Sequence, residues 1–307
     1  MSFEQIVSGW KKEQRNTAAD YRILLDNFRI LFAYHSGKIE NEEITLHDTR
    51  EIFENGRVIN YTGDLRNLFE IKNQKDCFDF LLECVVQRRA LSVELICELH
   101  RHLMTGCYME TPPRDARGIS RPKGGDATRR GNIPCEAWDA TRRGQVALPM
   151  QNRCAMGKAD ETRYQKGERP GKFKIHDYVT GDGVGAAPED VGTELEELLE
   201  ELLEEVKEEE GRDVMTIAAY LHLRFEEIHP FADGNGRLGR TLLNYYLMTH
   251  DYPPLVLFEE DKKTYYMALT VFDKTGKIDG FLEFLREQMV KIWERKKRPA
   301  VKLNMLL

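Results

Sequence analysis

Two stripes of apolar residues at helical spacing, separated by a single glycine-rich stretch, constrain the fold of this chain more than any other feature. Ile217, Ala218, Leu221, Phe225 and Ile228 recur along one face of the first stripe, and Leu238, Leu242, Leu243, Tyr246 and Leu247 along the second. Each stripe predicts a helix with a face to bury, so the pair calls for helix-on-helix packing around the stretch that joins them. Pro230 disfavours continuing the first helix, which places His229 at its end. The second helix is expected to begin at about Gly236. Between them runs His229-Pro230-Phe231-Ala232-Asp233-Gly234-Asn235-Gly236-Arg237-Leu238-Gly239-Arg240.

The residue types in this stretch suit phosphate chemistry. Backbone N–H groups at a helix start are unpaired and carry the positive end of the helix dipole, and glycines let a ligand approach them closely. Gly234 and Gly236 therefore predict an anion nest. Arg237 and Arg240, three residues apart, share a helix face and can clamp two phosphates of one chain. Asp233 offers a hard oxygen ligand for Mg²⁺, which commonly binds through one or two carboxylates plus substrate phosphates. His229 is placed to take a proton from an incoming hydroxyl. Singly, each residue has an ordinary reading: a surface arginine, a turn glycine, a structural histidine. Together they point to phosphoryl or nucleotidyl transfer. The segment Gly234 to Gly239 also reads GxGxxG, but the dinucleotide fingerprint follows a strand, and here a helix precedes it.

These residues resemble the signature of the Fic family, HxFx(D/E)GNGRxxR. His229, Phe231, Asp233, Gly234, Asn235, Gly236, Arg237 and Arg240 fill every specified position. The resemblance implies transfer of AMP from ATP to a hydroxyl side chain of a target protein, with pyrophosphate leaving. It implies His229 as base, Asp233 as the Mg²⁺ ligand, and Asn235 with the glycine amides stabilising the α-phosphate. Arg237 would bind the inner phosphates and Arg240 the γ-phosphate, while Phe231 anchors the loop. Ser36-x-x-x-Glu40-Asn41 similarly resembles the family's inhibitory motif (S/T)xxxE(G/N), in the class that carries it on an N-terminal helix. Ser36 is then expected to hold the start of that segment, and Glu40 to occupy Arg240 in place of the γ-phosphate.

The rest of the chain reads as helices. Tyr21, Leu24, Leu25, Phe28, Leu31 and Phe32 mark an amphipathic helix over 17–34. Thr45-Leu-His-Asp48 is a capping box opening a helix to about Asn55, with Gly56 suited to its end. Further helices are expected at about 64–88 and at 92–105, the second capped by Ser92. His100 and His102 on the latter face different sides, which speaks against a shared metal. Glu189 to Asp213 reads as a helix with one apolar stripe and a solvated acidic face. Lys263 to Leu269 begins another helix, beside which the resemblance places the nucleotide. Core packing is the first reading for Tyr265 and Tyr266, and contact with adenine the alternative. A last helix runs from Asp279 to about Arg295.

Two stretches break this pattern. From Thr111 to about Lys158 periodicity fades, Gly, Pro and Arg accumulate, and Asp-Ala-Thr-Arg-Arg-Gly occurs twice, at 126–131 and 139–144. This reads as a disordered insertion, with a basic partner-facing arm as the alternative. At 172–180, Phe173, Ile175 and Val179 are β-prone and Asp182-Gly183 is a turn signal. The resemblance makes this a β-hairpin flap that holds the target segment by strand pairing, through Lys174, Ile175 and His176.

The expected architecture is all-α, a Fic-type helical domain with one small β-hairpin flap. Residues 1–56 would form N-terminal helices with the inhibitory motif, 57–297 the catalytic domain interrupted at about 110–159, and 298–307 a basic tail. The expected activity is protein adenylylation with ATP and Mg²⁺, self-inhibited through Glu40. Transfer of another nucleotide or phosphocholine, removal of AMP, and a non-enzymatic interaction module are the alternatives. The net charge of −7 argues against general nucleic-acid binding. No CxxC pair, leader or long apolar run is visible, so a cytoplasmic, membrane-free protein with an unidentified protein target is expected, homo-oligomerisation being left open.

Overall fold

A computed structural model describes residues 1–107, 166–178, 185–207 and 213–297. The expected insertion, the Asp182-Gly183 turn and the basic tail lie outside these residues. Among the described residues the ordered elements are helices: α1 Phe3–Lys11, α2 Ala18–Leu24, α3 Asp26–Glu40, α4 Leu46–Asn55, α5 Leu65–Val86, α6 Val93–Met104, α7 Val191–Lys207, α8 Val214–Ile228, α9 Asn235–Thr249, α10 Lys262–Thr275 and α11 Asp279–Lys297. No helix among them is long and apolar enough to cross a membrane.

Local chemistry starts and stops these helices. Thr45 Oγ1 accepts the N–H of Asp48 at 3.1 Å and so caps α4, which ends at Gly56 in the left-handed region. Ser92 Oγ caps α6 by accepting the N–H of Leu95. Asp213 caps α8 through the N–H groups of Met215 and Thr216. Each cap satisfies donors that the first helical turn leaves open.

The α8–α9 pair sits at the centre, as the two stripes require. Along α9 every residue from Arg237 to Met248 is buried, so this helix is enclosed on all sides and not merely along one stripe. It packs on α3, α5, α6 and α8. The main core runs from Ile6 and Trp10 on α1 through Phe28 and Phe32 on α3 to Phe281 and Met289 on α11, so the N-terminal helices share one core with the signature helices. A satellite cluster of Ile44, Ile52, Leu68 and Ile71 joins α4 to α5. On α7, Leu195, Leu198 and Leu202 face the core while Glu196, Glu197, Glu200, Glu201 and Glu204 are exposed.

One departure from the expected pattern matters for function. The helix expected over 17–34 is two, parted at the fully buried Leu25, and the second continues to Glu40. Beyond Ala33 its buried residues include His35, Ser36 and Gly37, which carry no apolar signal and are held by polar or close contacts. Gly37 lets Ile44 pack close to the helix: a Cβ would sit 2.7 Å from Ile44 Cδ1, and the isoleucine would have to shift. Ser36 therefore lies inside the last turns of α3 and does not open a helix.

Candidate active site

The signature loop is held from both ends. His229 closes α8 in the left-handed region at φ 50°, ψ 60°, its N–H bonded to Phe225 O at 3.0 Å. A non-glycine residue adopts this conformation at a cost and only when its surroundings impose it. They do so here: Ala186 N–H donates to Ile228 O at 3.0 Å and Lys174 N–H donates to Pro230 O at 2.9 Å, so two neighbouring segments grip the bend. Gly185 presses against it. A Cβ at 185 would meet His229 Cβ at 2.7 Å and Ile228 O at 2.8 Å.

Inside the loop, Phe231 is fully buried and stacks on His100, ring centroids 3.8 Å apart. Asn235 is 2% exposed, and its side chain latches the loop: Oδ1 accepts the Phe231 N–H at 2.9 Å and Nδ2 donates to Phe231 O at 2.7 Å. The amide expected to face the α-phosphate thus bonds the loop's own backbone. His100, 0% exposed, extends this latch. Its Nδ1 accepts the Gly171 N–H at 2.8 Å, which leaves Nε2 to donate to Asp233 O at 2.9 Å. Burial pushes its pKa down to about 4, so the ring is neutral at neutral pH and clamps the 166–178 segment to the signature loop.

At the N-terminus of α9, Gly234 takes the left-handed capping position at φ 77°, and its N–H donates to Asp233 Oδ1 at 2.7 Å. A Cβ at Gly236 would lie 2.4 Å from Glu40 Oε1. The expected anion nest therefore faces the carboxylate at the end of α3.

Glu40 joins both arginines. Its Oε1 accepts from Arg240 Nη2 at 2.6 Å and its Oε2 from Arg237 Nε at 2.9 Å. Ser36 completes the cradle by accepting Arg240 Nε on Oγ at 3.0 Å and Arg240 Nη2 on its carbonyl at 2.8 Å. Arg237 and Arg240 are only 4% and 2% exposed. Desolvation works to lower their pKa values, but facing carboxylates win and raise both: Glu70, Glu40 and Asp233 for Arg237, and chiefly Glu40 for Arg240. Both remain charged.

Four groups outside the signature complete the surroundings, and periodicity did not point to them. Glu70, 6% exposed, takes Arg66 Nε on Oε1 at 2.8 Å and lies 3.3 Å from Arg237 Nη1. Arg66 Nη2 reaches Asp233 Oδ2 at 2.7 Å. Arg66 and Glu70 lie i,i+4 on α5, a spacing that pairs them but does not name their target. On the other side, Glu226 and His222 pack below Gly239, where a Cβ would meet Glu226 Oε1 at 2.5 Å and His222 Nδ1 at 3.2 Å. His222 Nε2 pairs with Tyr265 OH at 3.0 Å, and burial pushes His222 down to about 3 and Glu226 up to about 7.

His229, Asp233, Gly236, Arg240 and Glu40 open onto one cleft of about 1020 Å³, whose far wall is α10. Tyr266 lines that wall and is 42% exposed, whereas Tyr265 is core at 1%. The described limb of the expected flap is irregular backbone. In it Lys174 is buried, where desolvation lowers its pKa against the pull of Asp177, Glu194 and Glu168. Ile175 is 55% exposed, and the exposed His176 pairs through Nε2 with Lys166 O at 3.1 Å. Of the three flap residues, Ile175 and His176 thus face outward and Lys174 inward.

A divalent cation fits here only with help from a ligand. Among the described residues no three His, Cys, Asp or Glu side chains converge on one point. Asp233 presents its carboxylate at the cleft beside the α9 N-terminus, which matches the way Mg²⁺ uses one or two carboxylates together with phosphates and water.

Residues 152–247 match the family model described as the Fic/DOC family. The chain is similar to the protein adenylyltransferase Fic of Drosophila persimilis and that of Aedes aegypti, each 40% identical over 70 residues, which are 23% of this chain and 14% of the relative. It is similar over a longer stretch to the protein adenylyltransferase fic-1 of Caenorhabditis briggsae, 26% identical over 275 residues, 89% of this chain and 41% of the relative. The chain thus spans less than half the length of these curated relatives. Its fold is that of a Fic-domain-containing signaling protein from Bacteroides thetaiotaomicron VPI-5482, with a TM-score of 0.66, 20% identity, and coverage of 94% of this chain and 92% of that one. Fic-1 of C. elegans superposes with a TM-score of 0.62 at 21% identity, over 95% of this chain and 69% of that one.

Proposed function

We propose, from the match of residues 152–247 to the Fic/DOC family model, that the chain is a protein adenylyltransferase held in check by its own Glu40. The observation that carries this reading is the cleft into which His229, the α9 N-terminus, Asp233 and Arg240 all open. The names of the relatives support the same chemistry.

In the reaction, a serine, threonine or tyrosine hydroxyl of the target gives its proton to His229. Its oxygen forms a bond to the α-phosphorus of ATP, the bond from that phosphorus to the bridging oxygen breaks, and pyrophosphate leaves. His229 suits the base because its bend is fixed by the backbone contacts of Ala186 and Lys174 while its side chain faces the cleft. The α9 N-terminus lies where negative charge develops on the phosphate, and Arg237 and Arg240 hold the charge of the outer phosphates. Asp233 would hold Mg²⁺, which supplies charge neutralisation to the leaving pyrophosphate.

Glu40 lies across this machinery. Its carboxylate uses the Arg240 and Arg237 donors that the γ- and inner phosphates need, and it fills the approach that Gly236 leaves open. A second reading, removal of AMP from a modified protein, draws on the same carboxylate, since Glu40 lines the cleft together with His229 and can orient a water there.

The test is incubation of the Glu40→Gly chain with ATP labelled on the α-phosphate and a cell lysate, followed by mass spectrometry of labelled peptides. AMP on a hydroxyl side chain is expected. A mass shift of phosphate in place of AMP, or no incorporation of label, would overturn the reading.

A further inference from the structure

We propose that Arg66 is the positioning residue for Asp233: an internal cation that holds this carboxylate ready and opposes any divalent cation that arrives without a nucleotide. The proposal rests on Asp233 being the metal ligand, and the experiment below separates the two.

The contacts form a closed ring of alternating charge. Arg66 Nη2 lies 2.7 Å from Asp233 Oδ2, Arg66 Nε lies 2.8 Å from Glu70 Oε1, the same Glu70 oxygen lies 3.3 Å from Arg237 Nη1, and Arg237 Nη2 returns to Asp233 Oδ1 at 3.6 Å. The Gly234 N–H also donates to Oδ1 at 2.7 Å. Both Asp233 oxygens are thus oriented by donors before any metal or nucleotide is present. Arg66 does not wander, because Glu70 fixes its Nε and is itself 6% exposed. An arginine in this place stays charged at every relevant pH and presents a rigid fork, so it can serve two carboxylates at once.

Two consequences follow from the charge. A guanidinium 2.7 Å from a ligand oxygen repels a dication bound to the same carboxylate, and even at the screening of water this amounts to roughly ten-fold in affinity. A cation delivered with the negative charges of a triphosphate is not opposed in the same way, since those charges offset the repulsion. Arg66 therefore biases the site toward the metal–nucleotide complex over the free metal.

The test uses Mn²⁺ as the probe, read from loss of the free-Mn²⁺ electron paramagnetic resonance signal. It is titrated into the full chain with and without saturating β,γ-methylene ATP, with the analogue's own binding subtracted. Arg66→Gln is expected to bind Mn²⁺ about ten-fold more tightly than the parent chain without the analogue, with a smaller gain in its presence. Arg66→Lys, which keeps the charge, is expected to stay within about three-fold of the parent. Arg66→Met, which keeps the stem, repeats the measurement should Arg66→Gln fail to fold. Unchanged or weaker Mn²⁺ binding in the neutral variants overturns the proposal. Asp233→Asn is the control for the underlying reading: if it binds Mn²⁺ as the parent does, the metal assignment itself fails, whereas lost binding there with no gain in Arg66→Gln defeats the role of Arg66 alone.

Discussion

Replacing Glu40 by glycine probes the proposed self-inhibition most directly, and the structure sets the scale of the effect. Glu40 makes two charge-assisted contacts, at 2.6 Å to Arg240 and 2.9 Å to Arg237, with its own side chain 26% exposed. Hydrogen bonds to charged groups contribute about 1.5–3 kcal/mol each, and partial exposure brings such contacts toward the lower end. Two of them therefore hold the closed arrangement by about 3 kcal/mol. At 1.4 kcal/mol per factor of ten, the arrangement open to the γ-phosphate is then about a hundredth of the population, and removing the carboxylate should raise AMP transfer about 100-fold. Charge counting agrees: Arg66, Arg237 and Arg240 face Glu40, Glu70 and Asp233, a balanced set that turns net positive when Glu40 is lost. Glu40→Gln, which keeps an acceptor oxygen but not the charge, should fall between, at about 10-fold. The assay is initial-rate incorporation of AMP from α-labelled ATP, into the chain itself and into a target, at matched ATP and Mg²⁺. Arg240→Ala should cancel the gain, because both changes act on one contact. Equal rates for the parent and Glu40→Gly would refute the reasoning.

Three further outcomes can be checked. His229→Ala should lower AMP transfer by ~10²–10⁴-fold while leaving the affinity for a non-transferable ATP analogue, measured calorimetrically, nearly unchanged. His100→Phe keeps the stack on Phe231 but leaves the Gly171 N–H and the Asp233 carbonyl without their partner, which should cost about 2–4 kcal/mol in urea unfolding. Because His100 is depressed to about 4, its contribution is fully present above its ordinary 6.5 and is lost as pH falls from there toward 4, so the same substitution should also flatten the acid side of the stability profile. Glu226→Gln should act with the opposite sign: the native carboxyl holds its proton up to about 7 while the unfolded one releases it near 4.5, so the parent loses stability as pH rises between these values. At 1.36 kcal/mol per pH unit the melting advantage of Glu226→Gln should grow from nothing at pH 4.5 to at most roughly 3 kcal/mol at pH 8, and a constant difference across that range would count against a buried, protonated Glu226.

The helices were legible wherever apolar spacing or a cap marked them. Thr45, Gly56 and Ser92 act as the caps that their sequence positions suggested, and α8 stops where Pro230 requires. What periodicity hid was the end of α3. Its last turns are buried through His35, Ser36 and Gly37, polar or small residues, of which Ser36 and His35 depend on partners more than two hundred positions away, Arg240 and Glu259. Hydrophobic spacing cannot register such a turn. The signature showed which side chains would gather, but not how the loop spends them: the Asn235 side chain bonds the Phe231 backbone, and Lys174 lies inside the fold. The roles of Glu70, Arg66 and His100 were hidden for a related reason. These residues sit on ordinary amphipathic helices, and only the crossing of α5 and α6 against α9 brings them to the loop. A polar residue on a helix face looks the same in sequence whether it meets water or a buried arginine.

On the proposed reading, Gly236 ties inhibition and catalysis together in this site. Phosphate binding at the start of α9 needs a residue without a Cβ, so that an anion can come close to the unpaired N–H groups. The same lack of a Cβ is what admits Glu40, whose Oε1 lies 2.4 Å from where that atom would be. An alanine at 236 would push the carboxylate away, but it would narrow the approach for phosphate by the same amount. Release must therefore come from the other partner, by moving the end of α3, and the structure indicates what opposes that movement. Ser36 holds Arg240 from the same helix, and the buried Gly37 lets α3 pack against Ile44. The Asn41 side chain, one residue beyond Glu40, donates to Asn67 Oδ1 at 2.7 Å on α5. Shifting Glu40 out of the site thus means breaking contacts to α9 and α5 together, so the closed arrangement is a cooperative property of the helix end and not of one ion pair.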